Sequence, residues 1–383
     1  LKVLFVIDSL AHGGAERSLA EMTPRLRAAG VEAAIVMLYS REPSYEAEVR
    51  CAGVAMEVLH GRSRLGRVRE LRRIVQNRDP DIVHTSLFQS DVAGRLAAVR
   101  TRPAVLTSLV NTSYEPIRLH DPNVSRRGLQ AARIIDGWTG RHLTDHFHAV
   151  SRSVKESAAR HLGIPAERIT VVERGRDPAR LGAPDPERRA RARAGLALEP
   201  DARLVLNVGR QDFQKGQRYL LEAFEMIADS HRDVVLGVVG RPGHATSELE
   251  AARRRSGFPD RIRFLGPRDD VPELLTAADL FVSASLYEGL PGAIVEAMAL
   301  GVPVVASDIP GVRDVVEDER SALLVPPEDP RALAVAMAKV LDQPSIARSL
   351  GTRGKEEFAR RFTLDVSVRK MVALYQQLTR SMR

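Results

Sequence analysis

Two glutamates eight residues apart, Glu288 and Glu296, frame a stretch that reads strand, loop, helix from Asp279 to Ala299. Glu288 falls just before the expected helix and Glu296 about two turns inside it. A rise of roughly 1.5 Å per residue then separates the carboxylates by about 12 Å along the axis, comparable to the reach from hexose to ribose across a diphosphate. The helix start between them offers unpaired N–H groups and a positive dipole end to phosphate, and Gly289 and Gly292 let a ligand approach the backbone. Carboxylates repel phosphate, so these two are suited to accept hydrogen bonds from sugar hydroxyls. The plainer alternative is a helix-capping Glu288 and a surface Glu296.

A second cluster, Val208-Gly209-Arg210-Gln211-Asp212-Phe213-Gln214-Lys215-Gly216, directly follows the apolar run Leu204–Val208. Arg210 and Lys215 at a strand's carboxyl end are placed to clamp a leaving diphosphate. Lys215 stands out because only six of the 57 basic residues are lysines, which leaves 51 arginines. Near the start, Asp8 to Arg17 follows the first strand and carries Gly13 and Gly14 at a helix opening, a phosphate-loop candidate. The dinucleotide fingerprint and the Walker pattern are both absent, which argues against a nicotinamide dehydrogenase and a nucleoside triphosphatase. No Asp-x-Asp motif offers a metal site, since Asp269-Asp270 before Val271-Pro272 reads as a loop and helix start, so metal independence is expected.

The elements that must position these groups alternate. Strand-like runs at Val3–Ile7, Ala33–Leu38, Ile82–His84, Ala104–Leu109 and Phe147–Val150 are separated by helical stretches. The rhythm returns at Leu204–Val208, Val234–Val239, Ile262–Leu265, Leu280–Val282, Val304–Ala306 and Ala322–Val325. Such alternation predicts an α/β fold of two doubly wound, Rossmann-like domains, with ligands at the strands' carboxyl ends in a central cleft. The expected domains are 1–172 and 201–361. Turn residues in Glu173–Pro178 and Leu181–Pro186 mark 173–200 as the linker, and Val366–Leu378 reads as an amphipathic final helix within 362–383.

Composition is that of a globular enzyme, with 44% hydrophobic and 28% charged residues in 383. One cysteine, Cys51, excludes an intrachain disulfide framework and cysteine-pair zinc sites and fits a reducing compartment. Leu1–Ile7 is too short for a signal-peptide apolar core, and no stretch reaches the roughly 18 apolar residues of a membrane span. The expected location is cytoplasmic. A net charge of +8 is shared among arginine runs at Arg62–Arg78 and Arg188–Arg193; each is read first as a solvated helix face and otherwise as an anionic surface contact.

With Gly13-Gly14 and Glu16, Val208-Gly209-Arg210, Lys215-Gly216, Phe264-Leu265-Gly266 before Val271-Pro272-Glu273-Leu274, and Glu288 through Glu296, the chain resembles, over nearly its whole length, the retaining GT-B glycosyltransferases of family four, the glycosyl transferases group 1. The resemblance implies that Arg210 and Lys215 hold the donor phosphates. It implies that Glu288, with the amides of Gly289, Leu290 and Pro291, holds the donor sugar, and that Glu296 holds the ribose. Backbone around Gly240 and from Phe264 to Arg268 would cradle the base, and the Gly13–Gly14 turn would meet the diphosphate from the other domain, to which the last helix returns. Many members carry a histidine after a strand of the first domain where this chain has Val110 followed by Asn111. Asn111 is able to hydrogen-bond a sugar or acceptor hydroxyl but not to act as a base; His84, at a strand end, is a second candidate contact, with a structural role as its alternative.

The implied reaction is metal-independent transfer, with retention, of a hexosyl-type sugar from a UDP- or GDP-sugar, with no cofactor. The acceptor would be a small molecule or a lipid-linked sugar, and the Arg62–Arg78 run would rest on the anionic inner face of a membrane. A sugar-nucleotide epimerase or glycosyl phosphorylase on the same fold is the enzymic alternative, distinguished by turnover without an acceptor. A basic nucleic-acid or membrane-surface binder is the non-enzymic one. At 4% aromatic content, none of it interleaved with the arginine runs, single-strand stacking is disfavoured and no nucleic-acid partner is expected.

Overall fold

The computed structural model describes residues 1–381. The chain forms two compact units, the first comprising 1–119, 124–177 and 363–383 and the second comprising 120–123 and 178–362. Each is built on one parallel sheet.

In the first unit the strands are β1 (Lys2–Ile7), β2 (Glu32–Met37), β3 (Ala55–Val58), β4 (Ile82–Ser86), β5 (Ala104–Leu109), β6 (His146–Ala149) and β7 (Ile169–Val171). They lie in the order β3-β2-β1-β4-β5-β6-β7. In the second unit β8 (Arg203–Val208), β9 (Val234–Val239), β10 (Ile262–Gly266), β11 (Leu280–Ser283), β12 (Val304–Ser307) and β13 (Leu323–Val325) lie in the order β10-β9-β8-β11-β12-β13. Every strand pair is parallel. The central strands are continuous apolar runs because helices cover both faces: Val3 to Ile7 and Val234 to Val239 are buried throughout. Both sheets reverse direction of winding between their first and fourth strands, at β1/β4 and at β8/β11. A crevice opens at such a switch point, beyond the carboxyl ends of the strands.

Two edge strands escape the apolar pattern. Ala55–Val58 is only half-buried and carries Glu57, which meets Arg78 across the edge, and Ile169–Val171 is three residues long. The stretch expected as linker is largely structured. Helix Pro186–Gly195 begins on Asp185, whose carboxylate accepts from the Arg188 amide, and it belongs to the second unit. Its arginines explain the second basic run. Arg188 pairs with Glu273 at 2.5 Å, while Arg189 and Arg193 reach Asp279 at 2.6 and 3.4 Å.

The final helix, Leu364–Ser381, packs Leu364, Val368, Met371, Leu374 and Tyr375 into the core of the first unit beside Phe5, Ile35 and Leu106. These positions recur at the spacing of one helical face. The chain leaves the first unit after Asp177 and re-enters at Thr363, where the Leu364 amide donates to the Arg176 carbonyl at 2.8 Å.

Candidate functional site

Topology brings the second unit's chemistry together. The loop after β8 carries Arg210 and Lys215, the loop after β11 carries Ser285 to Pro291, and the two strands are neighbours at the switch point. The loops are bonded to one another: the Leu286 amide donates to the Gln214 carbonyl at 2.8 Å, and Gln214 Nε2 donates to the Tyr287 carbonyl at 2.9 Å. Gly216 makes the approach possible. Its φ of +55° is left-handed, and a Cβ there would stand 2.0 Å from the Ala284 carbonyl oxygen. From Gly216 the helix Gln217–Ala228 begins.

Lys215 and Glu288 meet. Lys215 Nζ donates to Glu288 Oε1 at 2.5 Å, the Ser285 hydroxyl donates to the same oxygen at 2.8 Å, and Gln214 Nε2 reaches Glu288 Oε2 at 3.3 Å. Glu288 is buried and Lys215 half-buried. A carboxylate this far from water needs such partners, since an uncompensated buried charge is costly. Glu288 does not cap the following helix: that helix, Gly292–Ala299, starts after Pro291 without a side-chain cap. Residues 288–291 are therefore irregular, and Glu296 is the fifth helical residue, just over one turn in rather than two. The helical rise thus covers only half of the spacing between the two acids. Glu296 is buried rather than on the surface. Gly289, Leu290 and Pro291 form the turn that leads to the helix start.

Arg210 lies apart from this pair. Its guanidinium is bonded to Asp212 and its side chain is 59% exposed. Arg268 is likewise an exposed ion pair, with Asp270 at 2.5 Å. Between them the carboxyl ends of β8, β9 and β10 make a ledge of bare backbone: the Gly209 amide donates to Val239 O at 2.8 Å and the Gly240 amide to Gly266 O at 2.9 Å. Gly240 has φ +149°, and a Cβ on it would lie 2.0 Å from Gly209 O, so no other residue fits. Phe264, half-buried, points from β10 toward the second unit's core.

In the first unit, Gly13 precedes and Gly14 begins the helix Gly14–Ala28 that follows β1. The Glu16 carboxylate folds back over Gly13, where a Cβ would be 2.3 Å from its Oε2. Asn111 bends its side chain onto its own loop, Oδ1 accepting from the Thr112 amide at 2.9 Å. His84 is corrected from candidate contact to buried strut. Its Nδ1 is 2.8 Å from the Tyr375 hydroxyl and its Nε2 is 2.7 Å from Ser108 Oγ, so neither nitrogen is left for a sugar.

The chain of bonds through His84 fixes its own proton positions. His148 Nε2 lies 2.8 Å from the Val172 carbonyl, which only accepts, so His148 carries its hydrogen there. His148 Nδ1 then accepts from Ser108 Oγ at 2.9 Å, Ser108 accepts from His84 Nε2–H, and His84 Nδ1 accepts from Tyr375. Burial holds both imidazoles neutral: His84 titrates well below the usual range, with His148 adding repulsion, and His148 is pushed down to about 4. Sequence reasoning missed Ser285, Gln214 and this relay; Ser285, three residues before Glu288 in a buried loop, is the one with a readable signal.

Among the described residues no group of three or more His, Cys, Asp or Glu is arranged to hold a metal ion, and no helix is long and apolar enough to cross a membrane. The glycosyl transferases group 1 family model matches residues 202–343, and the glycosyltransferase family 4 model matches residues 12–180. A 2-deoxystreptamine glucosyltransferase from Streptomyces kanamyceticus is 31% identical over 76% of this chain and 74% of its own length. The chain belongs to the group 1 glycosyltransferases. A D-inositol 3-phosphate glycosyltransferase from Xylanimonas cellulosilytica is 32% identical over 78% of this glycosyltransferase and 72% of its own length. Anabaena HepE, solved in complex with UDP, superposes with a TM-score of 0.86 at 22% identity, covering 98% of this chain and 100% of that one. The fold is GT-B, with two Rossmann-like domains. The epimerase, phosphorylase and surface-binder alternatives are not favoured by these matches.

Proposed function

We propose that this glycosyltransferase moves a hexosyl-type sugar from a UDP- or GDP-sugar to an acceptor hydroxyl with retention of configuration and without a metal ion or cofactor. The observation that carries the reading is the Lys215–Glu288 pair at the mouth of the Gly292 helix. An ammonium has three donors; one occupies Glu288, and the others are available to the diphosphate. Glu288 Oε2, which accepts from Gln214 Nε2 at a long 3.3 Å, is suited to accept from a sugar hydroxyl. Arg210 is free to swing from Asp212 to phosphate at little cost, because an exposed ion pair is worth about 0–1 kcal/mol.

The step is then a front-face substitution. The C1–O bond to the diphosphate breaks, and its electron pair leaves with the phosphate oxygen toward Lys215, Arg210 and the helix start. The same oxygen takes the acceptor hydroxyl's proton as the acceptor oxygen bonds to C1. Glu296 holds the ribose, and the Gly240 and Gly266 backbone with Phe264 and Arg268 holds the base. The names of relatives and neighbours support the donor class: HepE is solved with UDP-glucose, and a Rhizobium meliloti relative is a lipopolysaccharide core mannosyltransferase.

The acceptor is a small molecule or lipid-linked, and the protein works in the cytoplasm, resting on anionic membrane through the exposed Arg62, Arg64, Arg69 and Arg73 beside exposed Leu65. Titration with UDP, GDP, ADP and TDP and their sugars tests the donor. One nucleotide binding wild type far more tightly than Lys215→Ala is expected, and no binding by any of them refutes the transferase site. Proton NMR of the new anomeric linkage tests retention, turnover in excess chelator tests metal independence, and flotation with anionic vesicles at low salt tests the membrane contact.

A further inference from the structure

Three segments of the second unit close on Glu288, and each constrains it differently. The turn after β12 fixes its backbone: a Cβ on Gly311 would stand 2.4 Å from the Glu288 carbonyl oxygen and 3.2 Å from the Glu288 Cβ. What remains free is the side chain, whose carboxylate swings about several torsions unless donors pin it. Oε1 has two donors, and they are unequal. Lys215, on the loop after β8, is long, flexible and 25% exposed. Ser285, on the same loop as Glu288 and three residues before it, is short and 2% exposed. A carboxylate paired with an ammonium only accepts, so the Ser285 hydroxyl donates to Oε1 at 2.8 Å and turns its lone pairs to the Ser283 hydroxyl, 3.4 Å away at the end of β11.

We propose that Ser285 is a positioning residue for donor-sugar selection: its hydroxyl keeps Glu288 Oε1 in place when Lys215 turns to the diphosphate, so that Oε2 holds one direction and reads the configuration of one sugar hydroxyl. The assignment rests on the transferase reading above and supplies the device that makes that site selective. A carboxylate with one oxygen fixed meets a hydroxyl in one epimer and misses it in the other, whereas a swinging one follows either. Gln214 leaves this division of labour intact. Its Nε2 donates to the Tyr287 carbonyl at 2.9 Å and reaches Oε2 at only 3.3 Å, so that oxygen stays receptive. Nor is the Ser285 hydroxyl needed to join the two loops. The Leu286 amide on the Gln214 carbonyl and Gln214 on the Tyr287 carbonyl do that without it. Ser285 thus touches neither nucleotide nor sugar and acts through Glu288.

Calorimetry tests this with UDP, UDP-glucose, UDP-galactose, GDP, GDP-glucose and GDP-mannose titrated into wild type, Ser285→Ala, Glu288→Ala and the double variant. Melting followed by circular dichroism checks that each is folded. With the nucleotide it accepts, wild type prefers one epimer by at least about tenfold. Ser285→Ala weakens that epimer about tenfold, as expected for one hydrogen bond to a charged group, and leaves the bare diphosphate within about threefold. The preference between epimers narrows by a similar factor. In the Glu288→Ala background the same substitution changes sugar-nucleotide affinity by less than about twofold, because a residue that acts through another has no effect once its partner is gone. Unchanged epimer preference in folded Ser285→Ala overturns the proposal. So do equal losses of diphosphate and sugar nucleotide, which mark a loop-building role, and a loss that persists without Glu288. A wild type that is indifferent to the epimers, or that binds the diphosphate and neither of its sugar forms, overturns it as well. A wild type that binds no nucleotide refutes the transferase reading instead.

Discussion

Acid weakens the first unit through its buried histidines, and the size of the loss follows from His148. In the native state His148 titrates at about 4 against 6.5 in the open chain. The unfolded chain therefore binds more protons between these limits, so stability is full above pH 6.5, falls as pH drops through the window, and levels off near 4. The gap of about 2.5 units corresponds to roughly 3 kcal/mol, at about 1.4 kcal/mol per unit. His84, shifted the same way, adds to it. Against a typical total stability of about 5–15 kcal/mol this is a substantial fraction. Trp138, the only tryptophan, lies in the first unit on helix Arg126–Leu143 and reports its unfolding. It stacks on His142 at 5.1 Å, and urea midpoints rather than amplitudes are compared. Between pH 6 and 5 the midpoint falls in wild type and falls less in His148→Gln. A flat midpoint from pH 7 to 5, or the same slope in both proteins, refutes the assignment of neutral, Nε2-protonated rings.

Tyr375→Phe strips the donor from His84 Nδ1 and lowers first-unit stability by about 1–3 kcal/mol in the same urea assay at pH 7.5. Lys215→Ala leaves Glu288 buried without its cation and lowers turnover about 10²–10³-fold; Lys215→Arg does not restore it in steady-state kinetics, because a planar fork does not replace an ammonium 2.5 Å from Oε1. Gly240→Ala places a methyl 2.0 Å from Gly209 O at an unfavourable φ, so calorimetry finds nucleotide affinity down at least tenfold.

The central strands, the two glutamates and the basic loop were legible because continuous apolar runs and glycine-rich turns leave a local imprint. β3 and β7 were not: one is half-exposed with Glu57 in its middle, the other too short to show a pattern. Arg188, Arg189 and Arg193 read as a basic run, although Glu273 and Asp279, whose charges they meet, lie more than eighty residues on. Pairings of that range have no signature in either segment. The same holds for Lys215 and Glu288, which two separate loops bring together only because β8 and β11 are neighbours, and for His84, whose partners come from β5 and the last helix.

His84 and Tyr375 are separated by 291 positions, and a ribosome adding about 5–20 residues per second takes roughly 15–60 s to cover them. The first unit is thus begun first and finished last: its sheet emerges early, yet the hydroxyl that completes the histidine relay and the apolar face that closes its core arrive after the whole second unit has been made. Until then Phe5, Ile35 and Leu106 lack the cover that Met371 and Leu374 supply. A nascent chain stalled at Phe362 should consequently expose a sticky, half-built domain beside a finished one, which makes this interval the one in which the protein most needs a chaperone.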